Sequence, residues 1–336
     1  MKSPAAISEV SAADREAFDK ARLGNQPFVL RGLVRDWPLC AAGRQSPAAL
    51  VQYLLGFYNG TPVHVMAGPA EIEGRLFYME DFRRLNFQTR EVSFREALNS
   101  ILAVPIQERA ATIYMGAAAE NKHWPGLAHA NPMSLIANDV NPNLWIGGRA
   151  VVGPHNDYPE NVACVVAGRR RFRLFPPDQI ANLYIGPMEL NPAGRPVSFV
   201  SVSQPELERY PRYSQALAAS QEAELEAGDA IYMPSMWWHS VESLAPFNML
   251  MNYWWEPAAT SSARAEAALI HALLAMAPFS QHQRLAWKAV FEHLVFRTTG
   301  DPVAHIPPEI RGMLGDLTPD LRDRMRNLIR KSLLES

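Results

Sequence analysis

Between residues 143 and 255 the chain reads as one short strand after another, without helices between most of them. Apolar runs fall at 143–146, 150–153, 161–167, 170–175, 197–202, 222–226, 230–233, 239–243 and 247–255. The 27 prolines cluster between such runs rather than inside them. Strands this short and frequent predict an antiparallel sandwich or barrel.

The flanks differ. Upstream, the spacing predicts a helix over 12–23 with Ser11 as N-cap, a strand from Pro27 to Val34, and a helix opening at Ser46-Pro47 and running to Leu55. Thr61–Met66 and Arg75–Met79 pair as a hairpin around the Gly68/Gly74 loop in this reading. A helix from Ser93 to Ala103 and a strand over Ala111–Gly116 follow. After Pro257, helical periodicity covers 260–277, 281–297 and 318–334, the last with Thr318 as cap and Pro319 at the first helical position. The expected architecture is mainly β with α. Elements over 1–110 pack on the barrel, the β-core spans 111–257, and 258–336 forms a helical segment.

A net charge of −2 and a pI near 6.5 give no global field favouring nucleic acid or an anionic membrane. The only cysteines, Cys40 and Cys164, exclude a disulfide framework or a Cys-rich zinc site and suit a reducing compartment. Met1–Val10 is too short and polar for a signal peptide. The longest apolar stretch, 267–279, is interrupted by His271 and Pro278 and is too short to span a bilayer. These features predict a cytoplasmic protein. No G-x-S-x-G, H-E-x-x-H, Walker loop or G-x-G-x-x-G occurs.

Within the strand-rich stretch stands His155-Asn156-Asp157, after the turn Gly153-Pro154. In extended backbone, residues i and i+2 face one side, so His155 and Asp157 project together. His239 opens a strand about eighty residues later, after Gly228-Asp229-Ala230-Ile231-Tyr232-Met233-Pro234. Two imidazoles and a carboxylate from separate strands can cap one face of an Fe(II) ion and leave the other open.

Strand parity adds a second observation. In Arg169-Arg170-Arg171-Phe172-Arg173-Leu174-Phe175, the residues Arg169, Arg171 and Arg173 share one face, while Arg170 lies with Phe172 and Leu174 on the other. A buried, unpaired guanidinium is costly, so Arg170 needs an anion: a structural carboxylate, or the carboxylate of a ligand. Asn161, Ala163, Val165 and Ala167 share a face, as do Asn248, Leu250, Asn252 and Trp254. Small residues facing amides make a pocket with hydrogen-bond donors. The alternative is that Asn161 and Asn252 satisfy backbone groups at strand ends. The aromatics Trp237, Trp238 and Tyr158 read as exposed near the site. They would line a groove for a peptide strand, stack on a small aromatic molecule, or simply pack on the barrel rim.

The stretches PHNDYPENVACVVAGRRRFRLFPPDQIANLY (154–184) and ELEAGDAIYMPSMWWHSVESLAPFNMLMNYWW (224–255) resemble the JmjC/cupin-8 (factor-inhibiting-HIF-like) branch of the Fe(II)- and 2-oxoglutarate-dependent oxygenases. The resemblance implies a double-stranded β-helix (jelly-roll or cupin) core, with His155, Asp157 and His239 as iron ligands. It implies that Arg170, where the family carries a lysine, binds the distal carboxylate of 2-oxoglutarate. Tyr114, Asn161, Asn252 and Trp254 match residues lining that co-substrate site, whereas Val152 replaces a family threonine. The implied activity is hydroxylation coupled to decarboxylation of 2-oxoglutarate, with no catalytic side chain beyond the metal ligands. The expected substrate is a protein or peptide side chain; the alternatives are a small molecule or a non-catalytic metal-binding module. The resemblance also implies a homodimer through the C-terminal helices, whose apolar stripes at 263–277 and 285–295 fit that use or packing on their own core.

Overall fold

The computed structural model of the chain describes residues 3–11, 14–103, 111–137, 139–256 and 265–334. The chain forms two compact units, Met1–Pro257 and Ala258–Ser336. The first carries the described strands: β1 (Ala5–Ala6), β2 (Ser8–Glu9), β3 (Phe28–Leu30), β4 (Val63–Gly68), β5 (Arg75–Leu76), β6 (Gln88–Val92), β7 (Thr112–Ala119) and β8 (Pro142–Gly147). They continue as β9 (Ala150–Asn156), β10 (Glu160–Ala167), β11 (Arg169–Phe175), β12 (Gln221–Glu226), β13 (Ala230–Met233), β14 (Trp238–Ser243) and β15 (Asn248–Trp255).

Strands β8 to β15 are divided between two sheets. One sheet carries the order β12-β11-β14-β9 and the other β13-β10-β15-β8, each antiparallel throughout. Two four-stranded ribbons wound from one chain in this way are the double-stranded β-helix that the sequence led us to expect. Strand β10 is buried at every position because both of its faces are covered. Ala163 and Val165 pack between the sheets with Phe172, Leu225 and Ile231. Val162, Cys164 and Val166 pack outward into a second core with Leu39, Leu50 and Leu98, from the helices Pro38–Gln45, Pro47–Leu55 and Phe94–Ala103. That two-sided burial is why the sequence there is apolar without alternation.

The N-terminus is structural. Strand β1 pairs parallel with β12 in one sheet and β2 pairs parallel with β3 in the other. Ile7, between them, is buried in the inter-sheet core. Nothing in the polar segment Met1–Val10 marks it as a link between two sheet edges, because it supplies backbone bonds and one side chain.

Several local expectations change. The first helix spans Arg15–Arg22 and is capped by Asp14, which accepts from the Ala17 amide, rather than by Ser11. Thr61–Met66 and Arg75–Met79 do not form a hairpin. Strand β4 pairs with β6 and β7, whereas β5 pairs parallel with β9 in the other sheet. Glu73 and Gly74, both at positive φ, swing the chain from one sheet to the other. The expected strand at 197–202 has no partner strand. Ser198 makes one bridge to Ile185, while its amide donates to the Pro154 carbonyl and its hydroxyl to that of Leu183. The strand expected over Pro27–Val34 is the three residues of β3, and β6 and the helix Pro38–Gln45 carry no clear sequence signal.

The second unit holds the helices Ala265–Met276, Gln281–Leu294 and Pro319–Leu334. Residues 260–264 of the expected first helix lie outside the described residues. Ser280 and Gln283 form a reciprocal capping box, and Thr318 accepts from the Leu321 amide as its reading as a cap requires. No described helix is long and apolar enough to cross a membrane.

Candidate metal centre

Strands β9 and β14 place His155 opposite His239, and their register then shifts so that Val241 faces Val152. The extra residue lies on β9 at Gly153-Pro154, a β-bulge. Strict alternation would turn Val152 and His155, three residues apart, to opposite faces. The bulge turns both inward, where they line one cavity. Asp157 follows just past the strand end, its carbonyl accepting from the Met236 amide. The imidazole centroids of His155 and His239 lie 4.3 Å apart, and His239 Nε2 lies 3.6 Å from Asp157 Oδ2. One ligand atom from each of the three side chains falls within 4.8 Å of the others.

Hydrogen bonding decides which nitrogens are available. His155 Nδ1 lies 2.9 Å from the Gly153 carbonyl and His239 Nδ1 3.1 Å from the Trp237 carbonyl. A carbonyl only accepts, so each Nδ1 carries a proton, which leaves Nε2 as the nitrogen each ring can offer a metal. Burial first, and then neighbouring His155, push the His239 imidazole down to about 4, against the partial restoring effect of Asp157. The ring is therefore uncharged at neutral pH. Two imidazole nitrogens and a carboxylate on one cavity are a donor set that fits Fe(II).

Arg170 is 2 % exposed and lines the same cavity. Its Nη2 makes a long 3.4 Å contact to the Trp145 carbonyl, its Nε has no partner, and no carboxylate among the described residues pairs with it. Of the two anions left open by the sequence, the structural carboxylate is absent. The outward arginines behave differently. Arg171 pairs with Glu224 and Glu242, Arg173 with Glu222, and Arg169 more loosely with Glu224. Neighbouring strands neutralise this basic face, which weakens any case for an acidic peptide or RNA there.

Asn248 serves backbone groups, donating to the Gly148 and Ala245 carbonyls, and does not line the cavity, whereas Asn161 and Asn252 bond to side chains. Trp145 Nε1 donates to Asn252 Oδ1 at 2.7 Å, and Asn252 Nδ2 donates to Asn161 Oδ1 at 3.0 Å. An indole can only donate, so the direction of both amides is determined, and Asn161 Nδ2 has no partner among the described residues. Tyr114 is buried against β8 opposite Gly147, where a Cβ would sit 2.6 Å from the tyrosine ring. Trp254 lines the cavity with its indole N–H unpartnered. Ala167 is the exception to the parity argument. A register shift between Val165 and Ala167 turns it into the outer core.

The cavity encloses about 310 Å³ and is walled by apolar side chains such as Leu76, Met233, Val241 and Leu250. Pro192, Ala193 and Gly194 roof it. That loop is closed at its base by the Gly186 amide on the Val197 carbonyl, and the Tyr78 hydroxyl donates to the Leu190 carbonyl within it. Sequence reading missed this roof, having assigned a strand to part of its base. Trp237 and Trp238, read as exposed, are 3 % and 2 % exposed and belong to two hydrophobic clusters. Neither lines the cavity, and Tyr158 is half-buried.

A family described as a cupin-like domain matches residues 14–261. Among curated proteins, lysine-specific demethylase JMJ31 of Arabidopsis thaliana is 36% identical over 115 residues, 34% of this chain and 20% of that protein. The HSPB1-associated protein 1 homolog of Danio rerio is 35% identical over 128 residues, 38% of this chain and 28% of that protein. Lysine-specific demethylase 8 of Danio rerio is 31% identical over 119 residues, covering 35% and 28%. The chain thus spans less than a third of the length of each of these relatives.

Proposed function

The chain belongs to the cupin-like, JmjC-type domain family, and on that premise we propose that it is an Fe(II)- and 2-oxoglutarate-dependent dioxygenase that hydroxylates a protein or peptide side chain. The observation that carries this reading is the pairing of His155, Asp157 and His239 with a buried guanidinium that has no carboxylate of its own, all on one cavity. Iron bound there would supply oxygen activation coupled to oxidation of 2-oxoglutarate. His155 and His239 would hold the metal through Nε2 and Asp157 through its carboxylate. Arg170 would take the distal carboxylate of the co-substrate with a planar, permanently charged fork. Asn161 would add one amide donor. The apolar walls exclude water from the reacting atoms.

Hydroxylation is favoured over demethylation of an alkylammonium by the lining. Among the described lining residues the only carboxylate is Asp157, committed as a ligand in this reading, so a cationic side chain meets no counter-charge there. A second reading, hydroxylation of a small molecule, is supported by the Pro192–Gly194 roof over a cavity of about 310 Å³. Anaerobic titration with Fe(II) and 2-oxoglutarate tests the shared premise. The expected result is a visible charge-transfer band that requires both additions and disappears in His155→Ala. No band, together with tight Zn²⁺ binding, would mean a metal-binding module without this chemistry. Hydroxylated product in a peptide pool but not in small-molecule extracts separates the two substrate readings.

A further inference from the structure

The residues that would hold 2-oxoglutarate converge on a side chain that the sequence did not single out. Trp145, on β8, accepts Arg170 Nη2 at its carbonyl and donates from its indole to Asn252. Its ring stands edge-on to Trp254 at 5.8 Å and 89°, and lies 6.2 Å from the Tyr114 ring. The ring is closely seated, since a Cβ at Gly116 would lie 3.0 Å from its Cζ3. Asn161 is reached through Asn252.

We propose that Trp145 is a positioning residue for the co-substrate, acting through a one-way amide relay that presents Asn161 Nδ2 as a donor into the cavity. The inference rests on the 2-oxoglutarate reading above. Its physical basis is the near-identity of the two ends of an amide. Oδ1 and Nδ2 occupy similar space, so packing alone does not choose between them; a donor-only neighbour does. With the indole N–H in place, Asn252 Oδ1 faces Trp145, Asn252 Nδ2 faces Asn161, and Asn161 keeps Nδ2 for a carboxylate. Without it, Asn252 Oδ1 is a buried acceptor lacking a partner, and the side chain turns away to find one. Ligand binding then has to restore the arrangement, which lowers the apparent affinity by the fraction of molecules that hold it.

The test uses the full chain loaded with Mn²⁺ and titrated calorimetrically with 2-oxoglutarate. Trp145→Phe keeps an aromatic ring and the backbone carbonyl and removes the N–H with the rest of the five-membered ring, so the double variant with Asn252→Ala separates lost packing from the lost donor. We expect 2-oxoglutarate to bind about ten-fold more weakly, while Mn²⁺ affinity changes by less than about two-fold because Trp145 touches none of the three metal-site residues. Trp145→Phe added to Asn252→Ala should cost nothing beyond Asn252→Ala alone, which marks a relay rather than independent packing. Asn252→Ala cuts the relay at its middle and keeps the test available should the tryptophan variant not fold. Wild-type affinity in Trp145→Phe or Asn252→Ala, or losses that multiply in the double variant, would overturn the relay and leave the oxygenase reading standing. A wild-type protein that binds Mn²⁺ but not 2-oxoglutarate would overturn both.

Discussion

Arg170 shows how a functional side chain opposes stability. Parity in the arginine-rich strand indicates that this residue points inward, but parity cannot say whether a carboxylate waits there. The fold answers that question: the guanidinium is buried and its contact to the Trp145 carbonyl is long. A charge held this way weakens the ligand-free protein. Replacing it with an apolar chain of similar length should relieve that cost. Arg170→Met is therefore expected to stabilise the apo protein by about 1–3 kcal/mol in denaturant melts. It should also abolish measurable 2-oxoglutarate binding while leaving metal affinity intact. A destabilised variant, or one that binds 2-oxoglutarate normally, would show that the arginine is structural. The convergence of His155, Asp157 and His239 was legible in advance for a simpler reason. His-x-Asp on extended backbone projects to one side whatever surrounds it, and His239 follows a turn-strand-turn pattern that returns the chain to the same place.

At the scale of elements, the sequence performs well where an element's signal is its own and poorly where a partner decides. The helices capped by Ser46 and Ser93, and the strands β10, β11, β13 and β15, satisfy local rules and form where those rules place them. The supposed strand at 197–202 has strand-like residues but no neighbouring edge, and it becomes the base of the roof loop instead. The bulge at Gly153-Pro154, which brings Val152 and His155 to one face, is a property of the pairing of β9 with β14 and is invisible in β9 alone. The N-terminal link depends on two sheet edges at once. Its value can be measured: Ile7→Ala removes a buried side chain from the inter-sheet core and should cost about 2–5 kcal/mol. Deleting residues 1–10 should cost at least as much, because the bonds from Ala5 and Ile7 to Ser220 and Glu222 go with it. A deletion variant with an unchanged melting temperature would show that the two sheets hold together without this segment.

For the whole molecule, the second unit presents Leu269, Ile270, Leu273 and Leu274 on one helix and Leu285 and Trp287 on the next, all substantially exposed. Apolar surface of this kind is more than a monomer commonly leaves in water. The expected outcome is a homodimer formed by these helices. Sedimentation should give twice the monomer mass for the full chain, and the monomer mass for Leu273→Glu/Leu274→Glu. A monomeric full chain at micromolar concentration refutes the expectation. By itself, the sequence determined the strand-rich core, the helical flanks, the inward turn of Arg170 on its strand, and the identity of two imidazoles and a carboxylate suited to a divalent metal. These follow from periodicity and local turn chemistry, which act over a few residues. Tertiary structure alone decided that Arg170 meets no carboxylate among the described residues, that Trp145 orients two amides, that Trp237 and Trp238 are interior, and that a loop roofs the cavity. Each of those is a relation between groups far apart along the chain. Whether a buried polar atom has a partner is settled only when packing brings, or fails to bring, another atom within reach.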